Sequence, residues 1–294
     1  MSKQQKMKIS GCTFIRNGEL FGYPYLESIQ CLLDICDEVV VVIGNCNDET
    51  LHNVKSINNS KLKIIETVWN DKMQDRGFVY SEQKMIAQYS CIGDWVLYLE
   101  CDEIIHENDY DKIKHLLRAN LDKQHVEAFV FDYIHFYGTP DYIISSAHWY
   151  KRAPRIIRNS IRTFAPDGLF WIVMDKNRSG RFPRSKSIGC NMFHYGHVRS
   201  IESHEKKMQF IPQYWKQKSQ QFSGYDNVYA GFISKFNNTH PNIIKEWLNN
   251  KANWNFTINA KYKLTKKDIR HIMKTWLGNF LHLDLTRKHF TLIE

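Results

Sequence analysis

The chain has 294 residues, 43% hydrophobic and 24% charged, a globular composition with room for a sizeable core in one or two domains. Its net charge of +9 is uneven: residues 1–150 carry 14 Lys/Arg against 22 Asp/Glu, and residues 151–294 carry 26 against 9, so the second half expects anionic partners or a solvated basic surface. Seven cysteines, an odd number with no C-x-x-C pair, exclude a disulfide framework and a cysteine zinc site and fit a reducing compartment. The amino end, MSKQQKMK, has no secretory leader pattern and runs straight into a strand in KISGCTFIRNG. YPYLESIQCLLDIC reads as a helix, with Pro24 in its first turn and Leu26, Ile29, Leu33 and Cys36 at helical spacing. DEVVVVIG is an unbroken β-branched run, the mark of a strand buried on both faces. CNDETLHNVKSI reads as a helix capped by Asn47 or Asp48, KLKIIETV as a third strand, residues 80–91 as a helix and DWVLYL as a fourth strand. ENDYDKIKHLLRA follows as a helix with Ile113, Leu116 and Leu117 on one face, then VEAFVFDYIHFYG as a fifth strand.

After residue 135 the pattern loosens. APRIIRNSIRTF reads as a strand pair and residues 201–218 as a helix. Near the end, Ile269, Ile272, Met273, Trp276, Leu277 and Phe280 form an apolar stripe among Lys266, Lys267, Arg270 and Lys274. That is a basic amphipathic helix, read first as packing onto the sheet and second as lying on a membrane surface. No stretch reaches the ~18 consecutive apolar residues of a membrane span, so a cytoplasmic protein is expected, with peripheral contact at the inner membrane face as its one route to a bilayer. The domain expectation is residues 1–200 as one unit, with residues 201–294 as a mainly helical extension packed on it.

Strands alternating with helices predict an α/β fold with a mostly parallel sheet wrapped by helices, whose ligands bind outside the carboxyl ends of the strands. Polar groups gather at four of those ends: TFIRN (13–17), GNCND (44–48), the 66–76 segment and ECDE (100–103). The last is the sharpest. Residues two apart on a strand point the same way, so Glu100 and Asp102 at the end of DWVLYL are placed to share one hard cation. Mg²⁺ or Mn²⁺ takes one or two carboxylates and fills its shell with phosphate oxygens and water, which makes this pair a candidate diphosphate anchor.

These residues resemble a known family. GDWVLYLECDE is similar to the segment of glycosyltransferase family 2 that carries the D-x-D motif, GCTFIRNG with YPYLESI resembles its first strand and helix, and VVVVIGNCNDET its second strand. WYKRAPRIIRN, FHYGHVR, THP and NWNF resemble a bacterial-type branch. The resemblance implies a GT-A fold and a metal-dependent enzyme that moves a sugar, with inversion, from a nucleotide-diphosphate sugar (UDP-sugar favoured) to a hydroxyl acceptor on a glycan or lipid carrier. It implies Glu100 and Asp102 on the metal, Glu100 departing from the usual Asp. It further implies Thr13, Arg16 and Asn17 at the base and ribose, Asn45 and Asp48 at the second strand end, Lys84 on phosphate, and Cys101 beside the donor.

Inversion needs a general base for the acceptor hydroxyl. Carboxylates are few in the second half. Asp167, in the turn P-D-G, is the first candidate, Asp175 the second and Asp132 the third. His194, in F-H-Y-G, is the candidate third metal ligand, and Arg199 a candidate phosphate contact. Arg152, Arg155 and Arg158 either line an anionic acceptor site or face solvent. The alternative function is a nucleotidyltransferase or another metal-dependent nucleotide-binding enzyme, which would want a Gly-rich phosphate cradle after the first strand; IRNGELFGYP offers none. A nucleic-acid-binding module leaves the acids at 100–103 without a use, so nucleic acid is not an expected partner.

Overall fold

A computed structural model of the chain describes residues 6–218, 221–222, 224–250, 256–259, 261–281, 283–286 and 288–294; residues 253–255 of the NWNF segment lie outside them. The first half alternates as its pattern predicts. Strand β1 (Ile9–Ile15) leads to helix α1 (Tyr25–Ile35), β2 (Glu38–Ile43), α2 (Thr50–Lys55), β3 (Leu62–Glu66), α3 (Phe78–Tyr89) and β4 (Trp95–Tyr98). Strand β2 is buried from Val39 to Ile43 because helices cover both faces of the sheet. Strands β4, β1, β2 and β3 lie side by side and parallel, with Cys12 opposite both Val40 and Tyr98. All four therefore release their chain at one edge.

Beyond β4 the chain turns through β5 (Glu103–Ile105) and α4 (Tyr110–Ala119) into β6 (Ala128–Tyr137), β7 (Thr139–Ile144) and β8 (Arg152–Arg158). Strand β8 lies between β4 and β6, antiparallel to both. APRIIRNSIRTF is thus not a strand pair. Ile156 and Ile157 are buried on opposite faces, which makes β8 a central strand, while β9 (Thr163–Phe164) pairs with β10 (Ile172–Lys176), and β10 with β11 (Ser179–Arg181), in a separate small sheet. The 14-residue β12 (Arg184–His197) pairs with β6 in parallel and with β5 antiparallel.

After residue 200, α5 (Ile201–Phe210) passes into a short 3-10 turn, Ile211–Trp215, rather than running on as one helix. Strand β13 (Ile233–Lys235), α6 (Lys245–Asn250), α7 (Lys266–Phe280) and β14 (Thr291–Leu292) complete the chain. The segment returns two strands to the main sheet, β13 against β7 and β14 against β12. Helix α7 does not bury its apolar stripe. Ile269, Met273, Trp276 and Phe280 are 47–68% exposed, and the packed face is Asp268, His271, Thr275 and Gly278, with Ile272 the one half-buried member of the stripe. Small and polar groups win that face because the backbone comes close: Ala147 N–H donates to Thr275 Oγ1 at 3.1 Å, and a Cβ on Gly278 would stand 2.8 Å from the Leu283 carbonyl oxygen. No helix among the described residues is long and apolar enough to cross a membrane.

Candidate active site

At the shared carboxyl edge of the parallel strands lies a cleft of ≈ 170 Å³. Aromatic rings (Phe14, Tyr23, Tyr80, Tyr98, Trp215) form its walls, and Glu100, Cys101, Asp102 and Lys207 supply its polar groups. Rings with a few convergent charges are the usual make-up of a small-molecule site. A larger hollow of ≈ 870 Å³ opens elsewhere, between Lys6, Asp94, Arg118 and Arg158, and two of its charges, Asp94 and Arg158, are engaged in structure. Asp94 accepts from Lys8 N–H at 2.7 Å, and Arg158 donates to the carbonyls of Asn120, Leu121, Lys123 and Val126. The chemistry points to the strand-end cleft.

The acid turn is held from behind by one arginine. Opposite β8, Phe129 pairs with Ile156 and Val130 with Pro154, so Arg155 is the extra residue of a β-bulge. Bulges re-aim side chains beside sites. Arg155, 1% exposed, uses all five of its donors. Nε and Nη2 donate to Glu103 at 2.7 Å each, Nη2 also donates to Glu100 Oε1 at 2.7 Å, and Nη1 donates to the carbonyls of Pro154 and Leu169. Glu103, fully buried, also accepts from Tyr133 O–H at 2.6 Å and from the Glu100 N–H at 3.0 Å. Burial pushes the Glu103 carboxyl up, but the Arg155 charge and hydrogen bonds outweigh it and hold the group down at about 2. Glu100 loses that competition. Burial first, then the negative charges of Glu103 and Asp102, push it up to about 8 against the pull of Arg155. Of the three arginines in this segment, Arg155 and Arg158 are interior, against expectation, while Arg152, its side chain 37% exposed, pairs with Asp132 at 2.9 Å on the solvent side.

Asp102 faces a different set. Register pairs His194 with Glu103 on one side of β12 and with His135 on the other. This brings His194 Nε2 to 3.7 Å from Asp102 Oδ1, with Arg199 Nη2 3.5 Å from Oδ2. His194 Nδ1 meets His135 Nδ1 at 2.9 Å, and His135 Nε2 meets the Tyr150 carbonyl oxygen at 2.9 Å. Burial disfavours the charged form of both rings, drawing His194 below its ordinary value and His135 down to about 3. Gly196 is required beside them: a Cβ there would stand 2.5 Å from His194 Nε2 and 2.9 Å from Asp102 Oδ2. Arg199 is fully buried behind Asp102, donating to the carbonyls of Phe21 and Gly196, so it shapes the turn and does not reach the cleft as a phosphate contact. Among the described residues no three His, Cys, Asp or Glu side chains gather as a metal-ligating set. Glu100 is directed to Arg155, and Asp102 with His194 form the facing pair.

The other expected donor-site residues are largely engaged in structure. Phe14, not Thr13, faces the cleft; Thr13 takes the opposite face by strand alternation and is 1% exposed. Arg16 forms a bidentate pair with Asp71 at 2.5 and 3.2 Å and donates to Tyr214 O–H and the Asn45 carbonyl. Asn17 sits at φ +58°, and its Oδ1 accepts from Asn47 N–H. Asn45 accepts from Trp69 N–H, and Asp48 from the N–H groups of Leu20 and Thr50. Lys84, fully buried between the rings of Tyr98 and Trp171, donates to the Gly168 carbonyl at 3.2 Å. Burial and the Arg155 charge bring it down to about 7. Cys101 lines the cleft, and burial pushes its thiol up.

Among the base candidates, Asp167 precedes the cleft-lining residues Gly168 and Leu169 in the chain and accepts from Leu169 N–H at 2.9 Å. Asp175 is exposed on the small sheet and paired with Arg181 at 2.9 Å, which in turn binds Glu127 at the start of the sixth strand's approach. Sequence reading missed Lys207, the cation among the described residues of the cleft lining, whose Nζ lies 5.1 Å from the centre of the Tyr23 ring. Burial and the neighbouring Arg199 bring it down to about 8. It lies on a helix whose sequence, SHEKKMQF, carries no motif that singles it out.

No family model matches the chain. A curated protein named an uncharacterized glycosyltransferase, from Rickettsia typhi, is 29% identical over 94 residues, 32% of this chain and 28% of its own length. One of the same description from Rickettsia conorii is 25% identical over 120 residues, 41% of this chain and 38% of its own. The chain thus spans about a third of the length of the curated relatives it matches. Among solved structures, S. aureus TarS 1-349 in complex with UDP is 18% identical, covering 94% of this chain and 80% of its own, with a TM-score of 0.38. The glucosyl-3-phosphoglycerate synthase of Mycobacterium tuberculosis, with Mg²⁺ and UDP, is 14% identical, covering 43% and 44%, with a TM-score of 0.30. Likenesses this slight carry no argument about residues. The chain has an α/β fold with a mostly parallel central sheet flanked by helices, and its sequence relatives bear the name glycosyltransferase.

Proposed function

We propose that the protein is a metal-dependent glycosyltransferase that moves a sugar from a nucleotide-diphosphate sugar to an acceptor hydroxyl with inversion. One observation carries the reading: Asp102 Oδ1 and His194 Nε2 face one another at 3.7 Å, at the carboxyl edge of parallel strands, with Gly196 leaving the space beside both. The donor set, one carboxylate and one neutral imidazole, suits Mn²⁺ or Mg²⁺ that completes its shell with phosphate oxygens. Such a cation, when bound, offsets the charge of the departing diphosphate. Glu100, tied to Arg155, acts behind Asp102 by shaping the turn. Lys207 lies within the same lining and adds a second positive charge for the leaving group. The aromatic walls give the nucleotide a stacking surface.

Asp167 serves as the general base. Its carboxylate takes the proton of the acceptor hydroxyl as that oxygen bonds to the anomeric carbon and the bond to the diphosphate breaks. The acceptor is a glycan or a lipid-linked saccharide. The outward stripe of α7, Ile269, Met273, Trp276, Leu277 and Phe280, is edged by Lys266, Arg270 and Lys274, a pattern that favours an anionic lipid surface through charge complementarity.

A thermal-shift screen of nucleoside diphosphates and nucleotide sugars, with and without Mn²⁺, tests the proposal. A uridine diphosphate or UDP-sugar shift that needs Mn²⁺ and vanishes in Asp102→Asn is expected. Binding that ignores both the metal and Asp102, or no nucleotide binding at all, overturns it.

A further inference from the structure

Behind the facing pair runs a chain of three polar contacts. The Tyr150 carbonyl oxygen lies 2.9 Å from His135 Nε2, His135 Nδ1 lies 2.9 Å from His194 Nδ1, and His194 Nε2 points at Asp102 Oδ1. A carbonyl oxygen only accepts, so His135 carries its proton on Nε2. In a neutral ring the other nitrogen is then a bare acceptor. His194 must therefore donate from Nδ1, which leaves its Nε2 without a proton and directed at a carboxylate. Two acceptors so placed are satisfied together by a cation. The His135 ring has no freedom to turn away: Tyr133 stacks on it at 5.2 Å, Tyr150 meets it edge-on at 4.9 Å, and Trp149 closes a third side at 4.9 Å.

We propose that His135 is a positioning residue that fixes His194 in its Nδ1–H form, presenting the Nε2 lone pair as a ligand to the divalent cation shared with Asp102. The proposal rests on the reading of Asp102 and His194 as cation ligands. Metal-binding histidines commonly have the second ring nitrogen fixed by an outer partner, and loss of that partner costs ~10–100-fold in metal affinity. The usual outer partner is a carboxylate or a carbonyl. Here a second imidazole takes that place and passes the order of a backbone carbonyl through to the ligand.

The first test needs no variant. In metal-free wild-type protein labelled with ¹⁵N-histidine, long-range ¹H–¹⁵N correlation is expected to show His194 protonated on Nδ1 and bare on Nε2; the opposite form overturns the proposal. The second test is Mn²⁺ titration, alone and with UDP, followed by the EPR signal of the free ion. His135→Phe keeps a ring but offers no acceptor, and is expected to bind Mn²⁺ ~10–100-fold more weakly, with His194 shifted to the Nε2–H form. His135→Asn returns an acceptor oxygen at the Nδ1 position and is expected to recover most of the affinity. Unchanged affinity and tautomer in a folded His135→Phe overturn the proposal. If instead wild type and Asp102→Asn bind Mn²⁺ equally, the cation reading itself fails, and the His194 spectrum still decides whether His135 sets the tautomer.

Discussion

Arg155 holds the acid turn together, and its removal is the sharpest test of how the cleft is built. The guanidinium is buried with Glu103, which has no exposed surface, and with Glu100, 24% of whose side chain is exposed. Its bulge position means no neighbour can take its place. In Arg155→Met the stem is replaced and the charge is lost, leaving a buried carboxylate with only Tyr133 and one backbone N–H. Breaking a buried ion pair from one side costs about 3–5 kcal/mol. That is a large part of the ~5–15 kcal/mol that holds a domain folded. The double variant Arg155→Met/Glu103→Gln removes the stranded charge and is expected to recover half or more of the loss, because an amide still meets Tyr133 and the Glu100 N–H. Arg155→Lys keeps the charge without the fork and is expected to fall between them. Urea denaturation followed by far-UV circular dichroism gives the ranking. A loss below about 1 kcal/mol in Arg155→Met, the worth of a surface pair, refutes the account, as does a double variant no more stable than the single.

Three further outcomes are expected. Asp167→Asn lowers kcat for sugar transfer by ~10²–10⁴, the range of a lost general base, while Asp175→Asn, a change on an exposed residue paired with Arg181, leaves turnover near wild type; equal effects in a radiolabelled-donor assay reject the assignment. Arg181 and Arg184 hold Glu127 down at about 2 from an ordinary 4.5. A depressed carboxyl stabilises the fold above pH 4.5 and loses that contribution as pH falls toward 2, so Glu127→Gln should be less stable at pH 7 by about 1–3 kcal/mol, with the gap closing over that window; a gap independent of pH, by melting temperature, contradicts it. Replacing Lys266, Lys267, Arg270 and Lys274 together by Gln removes four charges worth about 1 kcal/mol each at an anionic surface; unaltered co-sedimentation with phosphatidylglycerol vesicles counts against the membrane contact.

Sequence and structure agree where the signal is local and periodic. The runs DEVVVVIG and DWVLYL are strands because β-branched and aromatic residues fill a sheet covered on both sides, and the order of elements up to β4 follows from them. What the pattern could not carry is pairing at a distance. Ile156 and Ile157 look alike in a strand pair or a central strand, and only the insertion of β8 between β4 and β6 decides. The same limit applies at the site. That Asp102 and His194 meet depends on the register of β12 against β5, set 92 positions further along. That Arg155, and neither Arg152 nor Arg158, enters the acid turn depends on a single bulge. Helix α7 shows the converse: its stripe was plain in sequence, but amphipathicity does not say which face meets protein, and there the close backbone at Gly278 and Ala147 settled it.

The bulge also accounts for the residue at position 100. A carboxylate there has two demands on it, the cation expected at Asp102 and the guanidinium behind. Arg155 already closes a bidentate pair with Glu103, so its remaining Nη2 hydrogen can be met only by a chain long enough to reach back from the strand end. Glutamate has one more methylene than aspartate and makes that contact at 2.7 Å. With Glu100 Oε1 held by Arg155, the proposed ligands reduce to Asp102 and His194, and the orientation of that one imidazole matters more than it would in a site with three carboxylates. Glu100→Asp discriminates: if reach is the reason for glutamate, the shorter side chain loses Arg155, and the protein loses stability while Mn²⁺ affinity holds or rises. If Glu100 is itself a ligand, Mn²⁺ affinity falls and stability is little changed. Parallel urea and Mn²⁺ titrations of this one variant separate the two.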